Sequence, residues 1–272
     1  RETLAVSPLQ SAVTVQRTLD SQMRMLNGEG FLNGHVPISS VIAFISVFAA
    51  RLHGYTHVAI SNERSSNEGN AFFCDREINH QYSKTFHFES AFAQYCQTYL
   101  PVQTPVYFSF LRPLFELQIA KIFAKYPEYH PLFRSCNRGQ KTNKWCGECP
   151  KCLFAFSLLV PFLGADKTSE YFGKNLYDDI SLYPLAEELL GIGEKKPLEC
   201  VGTHEETICA FYLGTKEFSA ENTPNLLKKV QNEILSKEFN LEARSQKILT
   251  SWNDEHLVPE PFVNVLEKAL HD

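Results

Sequence analysis

The stretch from Cys136 to Cys152 constrains this chain more than any other. It holds Cys136, Cys146, Cys149 and Cys152 in the spacing C-x9-C-x2-C-x2-C. A C-x2-C turn lets two thiolates approach one ion at about 2.3 Å each. A glycine inside such a turn, here Gly147, relieves the backbone. Four protein ligands leave no open coordination position, so the spacing points to a structural metal. Zn²⁺ is the first choice, and an iron–sulfur cluster is the alternative. The bland alternative is four free, buried thiols. Cys74, Cys96, Cys200 and Cys209 are scattered. A chain of 272 residues does not need disulfide staples. One tight cluster therefore argues for a reducing compartment, by default the cytoplasm.

Composition narrows the function classes. Lys and Arg total 26 against 31 Asp and Glu, a net charge of −5. That balance argues against sequence-independent nucleic-acid binding, which needs a basic footprint. Apolar residues at 44% and charged residues at 21% are ordinary globular usage. The apolar run Val41–Ala50 is too short to span a bilayer. The chain starts at Arg1 without Met or a signal-peptide pattern, so it reads as a fragment or processed piece.

Periodicity sets the expected elements. Val36–Leu52 has helical spacing, and His57–Ile60 reads as a short buried strand running into polar Ser61-Asn62-Glu63. A helix before a buried strand is half of a βαβ unit, and ligands sit beyond the carboxyl ends of such strands. Helical spacing returns around Phe88–Tyr99 and over Arg112–Tyr126, with a strand expected at Val106–Phe110. Leu153–Leu163 is an apolar helix stopped by Gly164. Two regions are expected: 1–165, an α/β core with the cysteine site, and 166–272, mostly helical.

Five further segments carry chemistry, each with a plainer alternative. Asn33-Gly34-His35-Val36-Pro37 is a helix start, or an anion site at a helix N-terminus. Ser61-Asn62-Glu63 is a solvated loop, or a site by its position after a strand. Asn79-His80-Gln81-Tyr82-Ser83-Lys84 is a polar surface turn, or a cluster with an acid/base imidazole and an ammonium. Arg112 pairs with Glu116 at i, i+4, or grips a ligand carboxylate or phosphate by two prongs. Cys200 is buried packing, or a thiol that carries protons.

Taken in order, these segments resemble the ATP-dependent UDP-N-acetylmuramoyl-L-alanyl-L-glutamate epimerases of bacterial peptidoglycan synthesis. The shared run is Asn-Gly-His-Val-Pro, Ser-Asn-Glu-Arg-Ser, Asn-His-Gln-Tyr-Ser-Lys and Ser-Phe-Leu-Arg-Pro-Leu-Phe-Glu. Ser-Cys-Asn, Trp-Cys-Gly-Glu-Cys-Pro-Lys-Cys and Leu-Glu-Cys-Val-Gly follow. It covers over half the chain, from Asn33 to Gly202. More distantly the chain is similar to N-type ATP pyrophosphatases such as 7-cyano-7-deazaguanine synthase. The resemblance implies part of a doubly wound parallel sheet, adenine nucleotide alpha hydrolase-like, with a zinc-bound cysteine loop. It implies ATP, Mg²⁺ and structural Zn²⁺, and a UDP-sugar dipeptide as substrate. It also implies that the family's Gly-rich phosphate loop precedes Arg1, so that this stretch alone is inactive.

Asn33, His35, Ser61, Asn62, Glu63, Asn79, Arg112 and Glu116 are then expected to bind substrate or nucleotide. His80 is the first candidate for moving the glutamate α-proton. Lys84, four residues on, would steady the enolate oxygen if this stretch is helical, and Cys200 is the candidate for the opposite face. The competing expectations are another adenylating enzyme of this fold, acting on a nucleobase or tRNA, and a zinc-stabilised binding module without catalysis.

Overall fold

The computed structural model describes residues 12–31, 37–139, 142–193 and 196–271. Asn33 and His35 lie outside the described residues. The first helices are α1 (Ser21–Gly28) and α2 (Ile38–Leu52). Pro37 stands immediately before α2, and Ala43, Val47 and Ala50 form its buried stripe. Strand β1 (His57–Ile60) follows, then a hairpin of β2 (Ala71–Phe73) and β3 (Arg76–Ile78). Next come α3 (Phe86–Tyr99), N-capped by the Thr85 hydroxyl, and β4 (Val106–Ser109).

β1 and β4 pair in parallel, with His57 opposite Val106 and Ile60 opposite Ser109. Parallel strands need a crossover, and α3 supplies it. The result is a small parallel sheet among many helices. Side chains alternate across β4: Tyr107 packs with Ala43, Val47, Phe92 and Cys96, while Phe108 packs with Leu114, Val258, Leu266 and Leu270. β1 is less covered than its apolar run predicts. His57 and Ala59 are exposed because, among the described residues, β1 has only β4 as a neighbour.

The remaining elements are all helical: α4 (Glu116–Phe123), α5 (Pro150–Leu163), α6 (Ala165–Phe172), α7 (Tyr183–Leu189), α8 (His204–Thr215), α9 (Asn225–Glu233), α10 (Leu241–Thr250) and α11 (Glu260–His271), with short 3-10 turns between some of them. No helix among the described residues is long and apolar enough to cross a membrane. α5 is the hub. It starts with Pro150 at its first position and is buried on nearly every side from Cys152 to Val160. A helix apolar all round belongs inside a core. Around it gather Phe172, Tyr177, Leu189, Phe211, Leu226 and Leu227, a cluster drawn from both sides of Asp166. Each such large side chain contributes about 1.5–3 kcal/mol on burial.

Two helical readings change. Helix α4 begins at Glu116, not Arg112; the backbone of Arg112 and Leu114 turns back onto Ser109 and Leu111 instead. Asn79–Lys84 is a turn closed by a 3-10 turn at Tyr82–Lys84, so His80 and Lys84 are not stacked on one helical face.

Candidate functional site

Parallel pairing brings the carboxyl ends of β1 and β4 to one edge, and a buried ion pair fixes the loops there. Arg112 is fully buried, and its Nη2 lies 3.0 Å from Glu89 Oε2 on α3. Its Nη1 donates to the Glu63 carbonyl at 2.7 Å and to Ser66 Oγ at 2.8 Å. Its Nη2 also donates to the Lys84 carbonyl at 2.5 Å. The other Glu89 oxygen accepts from the Ser109 N–H at 2.8 Å. A planar guanidinium with five fixed donors can thus tie three segments at once. Asn62 is buried beside it and donates to Ser109 Oγ at 3.0 Å.

The tied loops border a cavity of about 350 Å³. Its polar lining includes Ser61, Glu63, Lys84, Glu116, Lys151 and Cys200, and its apolar lining includes Phe123, Phe133, Phe154 and Leu158. An apolar cleft with a few convergent polar groups is the usual form of a small-ligand site. Lys84 Nζ lies 3.2 Å from Cys200 Sγ. Burial works to lower the Lys84 pKa, but Cys200, Glu63 and Glu116 outweigh it and hold the value above that of an ordinary lysine. Glu116 accepts from Ser65 Oγ at 3.2 Å. Loss of water around it, with Glu63 and Glu206 nearby, raises its pKa well above the usual carboxylate range.

Glu206 supports this wall from behind. Thr203 and Glu206 form a reciprocal cap at the start of α8, and Glu206 also accepts from the Leu117 N–H at 3.4 Å. Burial pushes its pKa up to about 7. Because the folded state holds this proton more tightly, it binds more protons than the unfolded chain between about 4.5 and 7. The stabilisation is full below that window and is lost as pH rises through it. Between about pH 5.5 and pH 8, Glu206 should contribute a loss of about 2 kcal/mol in urea titrations of the wild type, beside any loss from the raised Glu116 carboxyl. Glu206→Gln should show a clearly shallower slope; an equal slope would exclude Glu206 as its source.

Gly202 allows α8 to approach. A Cβ there would lie 2.6 Å from Phe154 Cζ and 2.9 Å from Glu206 Oε2. Gly202→Ala should therefore lower the unfolding free energy by about 1–3 kcal/mol, as overpacking does. A thermal scan with unchanged midpoint would count against this contact.

Beside the cavity, the four sulfurs of Cys136, Cys146, Cys149 and Cys152 lie within 4.8 Å of one another. Three pairs measure 3.8, 3.6 and 3.5 Å. A tetrahedron with 2.3 Å metal–sulfur bonds has edges of about 3.8 Å, so the donor set fits one ion. Gly147 turns the loop at φ +70°, a conformation that suits glycine. The Gly139 and Gly147 N–H groups donate to Cys136 and Cys152 sulfurs at 3.2 and 3.4 Å. Such donors favour sulfur in its anionic form. Lys151, between the last two cysteines, reaches the cavity wall.

Two family models match this chain: the MurL N-terminal domain over residues 2–110 and the MurL C-terminal domain over residues 132–245. The chain belongs to the MurL family. It is similar to three proteins named UDP-N-acetyl-alpha-D-muramoyl-L-alanyl-L-glutamate epimerase. The one from Xanthomonas oryzae pv. oryzae is 40% identical over 201 residues, 72% of this chain and 44% of the relative. The one from Salinispora tropica is 37% identical over 206 residues, covering 74% and 45%. The one from a Micromonospora strain is 32% identical over 258 residues, covering 93% and 57%. The chain thus spans about half the length of the curated relatives it matches. No solved structure matches it.

Within this MurL chain the structure brings Ser61, Glu63, Lys84, Glu116 and Cys200 together. Arg112 does not reach the cavity: its donors are engaged with Glu89, Glu63, Ser66 and Lys84, and it does not pair with Glu116. Asn62 is likewise engaged inside the protein. Asn79 donates to the Ser66 carbonyl and accepts from the Gln81 N–H, which holds the turn. His80 Nδ1 meets Asn70 Oδ1, and His80 is not among the cavity residues. Lys151 and Glu206 were not singled out from the sequence. The Thr203-x-x-Glu206 capping signature was available for the second.

Proposed function

We propose that this chain carries the proton-transfer site of an ATP-dependent epimerase. The enzyme converts the terminal L-Glu of UDP-N-acetylmuramoyl-L-Ala-L-Glu to D-Glu in cytoplasmic peptidoglycan precursor synthesis. The chemistry explains the need for ATP. The α-proton beside a free carboxylate is very weakly acidic, because its removal places two negative charges together. AMP transfer gives a neutral mixed anhydride whose α-proton is far more acidic; hydrolysis after inversion releases AMP. Mg²⁺ on the phosphates completes the ATP requirement. The βαβ unit of β1, α3 and β4 is compatible with a doubly wound, adenine nucleotide alpha hydrolase-like sheet. One Zn²⁺ would close the cysteine cluster, with its binding energy contributing to the fold.

The observation that carries this reading is the Lys84–Cys200 pair, 3.2 Å apart, in a cavity that also holds Glu63 and Glu116. The thiolate is the form of cysteine that accepts protons, and the Lys84 ammonium is placed to pair with it. Lys84 would then remain beside the enolate oxygen as charge develops. His80 is assigned a supporting role, holding Asn70 and the turn before Lys84. The test is to incubate full-length protein with ATP, Mg²⁺ and the UDP-sugar dipeptide. D-Glu product with stoichiometric AMP and pyrophosphate is expected. AMP release without D-Glu, or no ATP turnover, would refute the reading. Cys200→Ala and Lys84→Met should each lower inversion by about 100-fold or more.

A further inference from the structure

Inversion needs a proton taken from one face of the α-carbon and a proton delivered to the other. We infer that Glu116 is the second proton carrier, the acid that faces Cys200 across the bound glutamyl unit. The assignment rests on the epimerase reading and deepens it. Its basis is placement. Cys200 lies in the segment before α8, Lys84 in the turn before α3 and Glu116 in the first turn of α4, yet all three line one cavity. Lys84 is engaged with Cys200 and is assigned to the same half of the transfer. Glu116 is anchored by Ser65 Oγ, and among the described residues no lysine or arginine forms an ion pair with it. Loss of water around Glu116, with Glu63 and Glu206 nearby, also works against a negative charge there. A carboxyl that no cation pairs and a thiol, brought to one cavity from separate elements, can serve as two distinct proton carriers.

The step balances without a further reactant. In the L-to-D direction the Cys200 thiolate takes the α-proton, and the C–H electron pair passes into the adjoining carbonyl. The Glu116 carboxyl then gives its proton to the opposite face as that pair returns to carbon. The site is left with a Cys200 thiol and a Glu116 carboxylate. Transfer of a proton between them through solvent restores the starting state.

The experiment runs full-length wild type, Glu116→Gln and Cys200→Ala in D₂O with ATP, Mg²⁺ and the L-Glu substrate. Inversion is read by chiral analysis, α-deuterium by mass spectrometry, and activation by pyrophosphate release. Glu116→Gln is expected to lose inversion by about 100-fold or more. It should still release pyrophosphate and still exchange the α-proton of the L-substrate, because Cys200 takes and returns a proton on one face. Cys200→Ala should lose that exchange. Inversion by Glu116→Gln within a few-fold of wild type overturns the assignment. So does joint loss of exchange and pyrophosphate release, which would place Glu116 in binding or folding. Wild type that neither exchanges nor inverts overturns the epimerase reading itself, and the assignment with it.

Discussion

Cys152→Ala should yield a protein without bound metal and without a cooperative unfolding transition. The Cys152 side chain is fully buried at the start of α5, the helix around which the largest core gathers. Structural zinc in zinc-finger peptides supplies apparent binding free energies of about 10–16 kcal/mol, and whole domains are stable by only about 5–15 kcal/mol. With zinc bound at the cluster, losing one ligand would weaken a contribution comparable to the whole stability of a domain. Cys209 is the control: it is equally buried but outside the cluster. Cys209→Ala should cost only about 1 kcal/mol and leave the metal content unchanged. Elemental analysis of freshly reduced protein, paired with calorimetry, decides the matter. Stoichiometric metal and a normal transition in Cys152→Ala would disprove it.

The second large effect is expected at Arg112. Its guanidinium and the Glu89 carboxylate are almost wholly removed from water, with side-chain exposures of 0% and 1%. Removing one member of such a pair strands the other and costs about 3–5 kcal/mol. Arg112→Met or Glu89→Leu should thus lower the melting temperature by about 10 °C in a chain of this size. Arg112→Lys should recover little, because an ammonium cannot reach Glu89, Glu63, Ser66 and Lys84 together. A variant melting within about 2 °C of wild type would show that the pair is not under this load.

How much of this was legible beforehand varied with the range of the interaction. His57–Ile60 reads as a strand because its apolar, β-branched run is local, and Cys152 leads into a helix for the same reason. The four cysteines converge because their spacing is itself the geometry. The β2–β3 hairpin is hidden: its turn places Cys74 and Asp75 at positive φ without a glycine to announce it. Arg112 illustrates a different limit. Its sequence neighbour Glu116 is a plausible partner at helical spacing, but its real partner Glu89 lies 23 residues back on another element. His80 and Lys84 share a motif, yet a turn between them sends one to Asn70 and the other to Cys200. The apolar cavity wall, with Phe123, Phe133 and Phe154, has no local signature that separates it from ordinary core.

The Lys84–Cys200 contact also has a meaning in time. Its two halves are 116 residues apart in the chain. At about 5–20 residues per second, a ribosome delivers Cys200 roughly 6–23 s after Lys84. Glu89 and Arg112, only 23 residues apart, can meet well before that. For those seconds the nascent chain contains Lys84 but not the thiol that it meets in the folded protein.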